Sequence, residues 1–62
     1  MFVVEVMGKF SKKHEEFYLD NQGKKNRYFS KAASFPTAES AEAAGRLFVE
    51  SGKGYGFQVN AA

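Results

Sequence analysis

The chain has no cysteine and only one histidine, His14, in 62 residues. No other feature narrows its folding options so far. A domain of this length buries only about 60% of the surface its unfolded chain exposes, and such domains often lean on disulfides, a structural metal or a partner subunit. Disulfides are excluded here, and a zinc site needs several Cys or His ligands. What remains is a densely packed core or self-association. Seven Phe and three Tyr supply large buried areas per residue. The expectation is one ordered domain over residues 1–62, monomer or homodimer, without metal or other cofactor.

The apolar pattern gives the elements. Phe2–Met7 is apolar and β-branched, which reads as a strand with Phe2, Val4 and Val6 on one face and Val3, Glu5 and Met7 on the other. Gly8 ends it, and Lys9–Lys13 is a polar turn. Glu15–Leu19 reads as a second strand, Asp20-Asn21-Gln22-Gly23 as a turn, and Lys25–Phe29 as the return strand of a hairpin. A loop of two, three or four residues fits, and the sequence leaves that register open. Ser30–Phe35 is an irregular link.

Thr37 is a good helix N-cap, and Glu39 lies near the positive end of the helix dipole. Over residues 38–51 the helical period places Ala41, Ala44, Leu47, Phe48 and Ser51 on one side, with Glu39, Glu42, Arg46 and Glu50 on the other. Leu47 and Phe48 are the expected anchors on a sheet, and Gly52 the expected left-handed cap. Gly54–Val59 alternates strictly, with Tyr55, Phe57 and Val59 sharing a face expected to meet the core. The fold class is therefore α+β, in the order β-β-β-α-β: a small, mostly antiparallel sheet of three to four strands with one helix packed on one face.

Catalytic and phosphate-binding patterns are missing. His14 lies between Lys13 and Glu15 in a polar stretch, and adjacent Glu15 and Glu16 would point to opposite faces of a strand. There is no Gly-x-Ser-x-Gly elbow and no His-Glu-x-x-His. The glycines of Gly52–Gly56 follow a helix and open a strand, the reverse of a phosphate loop. An enzyme is not expected. Lys53-Gly54-Tyr55-Gly56-Phe57 resembles the start of the aromatic RNA-binding motif of RRM and cold-shock domains, but Gln58 and Asn60 stand where that motif wants an aliphatic and an aromatic residue.

Charge is uneven. Seven of the nine basic residues lie before residue 33, and the chain carries a net +2. Lys12, Lys13, Lys24, Lys25 and Arg27, interleaved with Tyr18 and Tyr28, are the candidate contacts for a protein partner or for a single-stranded nucleic acid. The same lysines would also solubilise a hairpin edge. No run approaches the roughly 18 apolar residues of a membrane span, and the N-terminal residues lack the pattern of a signal peptide.

Phe17–Val59, with a hairpin leading into Ala32-x-x-Phe35-x-Thr37-x-x-x-Ala41, a short helix and a closing strand, resembles small accessory proteins encoded by bacteriophages. The resemblance implies a non-catalytic inhibitor or modulator, binding a host protein such as a CRISPR-like defence complex in the cytoplasm of a bacterial host cell. It transfers no site residues. The alternative is a small single-stranded nucleic-acid-binding protein that uses the basic, aromatic hairpin.

Overall fold

The computed structural model describes residues 1–8 and 17–62. Its elements are β1 (Phe2–Gly8), β2 (Phe17–Leu19), β3 (Lys25–Asn26), α1 (Ala38–Glu50) and β4 (Gly54–Ala61), with a 3-10 turn at Phe29–Lys31. The four strands form one antiparallel sheet in the order β3-β2-β1-β4. The α+β architecture expected from the sequence is thus the one observed. Among the described residues, no helix is long and apolar enough to cross a membrane.

Register explains which side chains meet the helix. Directly opposed residues of an antiparallel pair share a face. Val4 opposes Val59, and Val6 opposes Phe57 on one side and Phe17 on the other. With Leu19 they make the helix-side face, and Ala41 and Phe48 of α1 close the core over them. Val4 and Val6 are wholly buried. On the opposite face Val3 is also buried, Glu5 half-buried and Met7 exposed.

Helix α1 begins in a capping box. The Thr37 hydroxyl accepts from the Ser40 amide at 3.1 Å, and the Ser40 hydroxyl accepts from the Thr37 amide at 3.3 Å. It ends in a Schellman motif. Gly52, at φ 79°, donates to the Val49 carbonyl, and Lys53 to that of Phe48. The expected left-handed cap is therefore present.

Three expectations are corrected. Leu47 is not a core anchor: it is 68% exposed. The buried stripe is Ala41, Gly45 and Phe48, centred on a glycine that contributes no hydrophobic signal, and Leu47 lies about 120° around the helix from Ala41. Tyr55 is not under the helix: it is 71% exposed. Met7 opposes Gly56 while Gly8 opposes Gly54, so Tyr55 is the extra residue of a bulge, and the alternation that holds for Phe57 and Val59 breaks there. The return strand of the hairpin is also shorter than expected. It stops at Asn26, and Phe29 begins a 3-10 turn instead of continuing the strand. The expected start of the second strand at Glu15 and Glu16, and His14, lie outside the described residues.

Candidate functional site

The hairpin between β2 and β3 is built by its turn chemistry. Asp20 opposes Lys24 and donates its amide to the Lys24 carbonyl at 2.9 Å, while the Gly23 amide donates to the Asp20 carbonyl at 3.0 Å. The loop is therefore three residues, Asn21–Gly23, a turn followed by a left-handed residue, and Gly23 at φ 74° takes that position. The Asp20 carboxylate fixes the loop from its side: Oδ1 accepts the Gln22 and Lys24 amides, each at 2.9 Å. The Lys24 amide is the leading cause that lowers the Asp20 pKa below its usual 3.8; desolvation opposes it, and the Gln22 amide and the Asn26 side chain add to the lowering. The loop thus presents a fixed carboxylate that is charged at neutral pH.

This loop forms one wall of an open groove of about 540 Å³. Its other wall is α1, through Ala44, Leu47 and Ser51, and its floor is Leu19, Ala33 and Phe48. The floor residues are buried, whereas Leu47 stands out at the rim. The link between hairpin and helix closes one end. There Ala33 donates to the Leu19 carbonyl at 2.9 Å, and Phe35 exchanges backbone bonds with Phe2 at 2.8 Å each, continuing the line of β2 beside β1. Lys53 lies at the groove margin together with Asp20 and Gln22. The result is an apolar cleft with Asp20 and Lys53 among its lining residues, in the size range of small-ligand and side-chain pockets.

The candidate contact residues do not converge on that groove or on one face. Tyr18 lies on the face away from the helix, opposite Glu5, and meets Phe29 edge to face at a centroid distance of 5.2 Å. Lys25 goes the other way. Its Nζ lies 4.3 Å from the centroid of the Phe17 ring, which belongs to the helix-side core. Lys24 is in the hairpin turn, and Arg27 and Tyr28 follow β3, exposed. The Tyr28 amide donates to Asn26 Oδ1 at 3.0 Å. Lys12 and Lys13 lie outside the described residues. The face carrying Tyr18 also carries the Glu5 carboxylate, which accepts from Asn60 Nδ2 at 3.3 Å. At β2 Tyr18 and Lys25 are therefore separated by the thickness of the sheet, whereas Lys24, opposite Asp20, falls on the Tyr18 side.

The groove was not foreseen from the sequence, because its rim residue, Leu47, reads as core and its loop wall reads as a simple turn. Among the described residues no three Asp, Glu or His side chains gather as a metal site would require. Compared with known proteins, the chain matches no family model, no curated sequence and no solved structure.

Proposed function

We propose that this protein is a non-catalytic binding module that receives an apolar side chain of a partner protein in the groove between α1 and the β2–β3 hairpin. One observation carries the reading: an open apolar cleft whose rim exposes Leu47 instead of burying it. Anchors of protein interfaces are apolar or aromatic side chains seated in such pockets, with charged groups at the margin. Asp20 and Lys53 occupy that marginal position here. The narrower form of the proposal is an inhibitor of bacteriophage type that occupies a host protein in the bacterial cytoplasm. The hairpin–helix–strand resemblance supports it.

A single-stranded nucleic acid is the competing ligand. The separation of Tyr18 from Lys25, and the carboxylate of Glu5 beside Tyr18, favour the protein reading, because a track of phosphates needs several basic groups beside the stacking aromatics, and register puts Lys24 but not Lys25 on the Tyr18 face.

The test is a pull-down from bacterial lysate with and without nuclease, comparing the wild type, Leu47→Asp and a combined Lys24→Ala, Lys25→Ala, Arg27→Ala variant. Leu47 is exposed, so its replacement leaves the core intact, and circular dichroism checks this. The expected result is one dominant protein that survives nuclease, is recovered at least tenfold less with Leu47→Asp, and is unchanged with the hairpin variant. Capture that disappears with nuclease and with the hairpin variant, but not with Leu47→Asp, overturns the groove reading in favour of nucleic acid.

A further inference from the structure

Among the described residues, the two edges of the sheet are built differently. At β3 the edge is two residues long, carries Lys25 and is flanked by Lys24 and Arg27. Short length and basic side chains are standard protections against edge-to-edge pairing. At β4 the edge is eight residues long and has no charged residue and no proline. Its one irregularity, the bulge at Tyr55, is at one end.

Hydrogen-bond direction along β4 follows from the register. Ala62 donates to the Met1 carbonyl at 2.9 Å, and Phe2 turns both its backbone groups the other way, toward Phe35. Antiparallel partners alternate between pairs that exchange backbone bonds and pairs that do not. The residues of β4 bonded to β1 are therefore Gly56, Gln58 and Asn60. Phe57, Val59 and Ala61 direct their N–H and C=O groups outward, away from β1. The side chains of Phe57 and Val59 are only half-buried at this edge.

We infer that this edge pairs antiparallel with β4 of a second copy of the chain, about a two-fold axis through Gln58. That register matches the outward residues Phe57 and Val59 with one another, and it brings Ala61 opposite the bulge at Tyr55. Phe57 opposes Val59 of the second copy twice, each pair exchanging backbone bonds, and Gln58 opposes its own symmetry mate across a non-bonded pair. An isologous contact of this kind closes as a dimer and, among the described residues, leaves no further edge except the protected β3. The two helices then lie on the same side of one continuous sheet, running in opposite directions. Charge complementarity supports a second copy as the occupant. Gly45 of α1 rests on Phe57 of β4, and Ala44, Leu47 and Ser51 face the hairpin, so the flank of α1 turned toward the free edge carries Glu42 and Arg46. The two-fold brings Glu42 of one copy toward Arg46 of the other. The inference is independent of the groove, which lies on the opposite flank of α1.

Sedimentation of the full chain across micromolar to millimolar concentrations tests it. The wild type is expected to be a dimer at high concentration. Gln58 is exposed and opposes Glu5 of its own chain, so Gln58→Lys gains an opposite charge within the monomer while Gln58→Glu faces a like one; both place like charges directly opposite each other across the two-fold, and circular dichroism checks that each variant is folded. Each variant alone should associate at least tenfold more weakly, and an equimolar mixture should recover a dimer of one copy of each. A wild type that stays monomeric throughout overturns the inference, as does a Gln58→Lys variant that dimerises undiminished. A mixture that remains monomeric overturns the register.

Discussion

At the scale of single residues, Gly45 has the most consequence for the fold. A glycine inside a helix costs about 1 kcal/mol relative to alanine, yet here the helix needs it. A Cβ at this position would fall 2.5 Å from Cγ of Phe57, well inside van der Waals contact, and the ring cannot swing its root away. Gly45→Ala should therefore destabilise the protein by about 1–3 kcal/mol, as overpacking does, against the usual helix-propensity gain. In a Phe57→Ala background the same change should turn neutral or stabilising, by up to about 1 kcal/mol. Urea denaturation of the four proteins in that cycle checks the change of sign.

Asp20 supplies a second prediction at this scale. Its folded-state pKa is depressed below 3.8 by the Lys24 and Gln22 amides. The stabilisation is therefore fully present above the unfolded-state value and is lost as pH falls through the lower folded-state value. Wild type should lose more stability than Asp20→Asn on going from pH 7 to below pH 3.8, and the two urea midpoints should converge at the acid end. An equal loss in both proteins would mean that the loop does not depend on the carboxylate.

At the scale of elements, the ends of α1 are set by local chemistry that the sequence displays. Thr37 caps the first turn, and Ser40 completes the box in the position usually held by Glu or Gln. Thr37→Ala should cost about 1 kcal/mol and Thr37→Ser should retain most of the stability, read by thermal or urea unfolding. The exposed Glu42–Arg46 pair, at 2.7 Å, looks stronger on paper but is worth at most about 0.5 kcal/mol to the isolated fold, because solvent screens it and two long side chains must be ordered. Strand β4 shows where local reading stops. Its alternation places Phe57 and Val59 correctly. It misplaces Tyr55, because the bulge depends on a close approach: a Cβ on Gly54 would meet the Met7 carbonyl oxygen at 2.6 Å and the Phe48 ring at 2.5 Å. Two neighbouring elements, neither of them β4, make that position glycine-only.

At the scale of the whole molecule, one helix over a four-stranded sheet leaves two distinct surfaces on opposite flanks of α1. The Leu47 flank and the hairpin make the groove, while the Glu42–Arg46 flank and β4 make the free edge. The two tests at Leu47 and Gln58 therefore read separate events: Leu47→Asp should leave self-association unchanged, and Gln58→Lys should leave the contacts of the groove in place.

The α+β class, the strand at Phe2–Met7, the cap at Thr37, the stop at Gly52 and the core roles of Val4, Val6, Phe48 and Phe57 were all legible in the sequence. Each follows from side-chain type and period within one segment, which are properties the chain carries before it folds. Tertiary structure alone decided the three-residue hairpin register, the buried Gly45, the ejected Tyr55 and the exposed Leu47. Each of these depends on which backbone approaches which, and a glycine that makes room for a distant ring leaves no hydrophobic mark where it stands. The groove belongs to the second group, since its walls are nearly thirty residues apart in the chain (Asp20 to Leu47) and meet only when the sheet brings the hairpin against the helix.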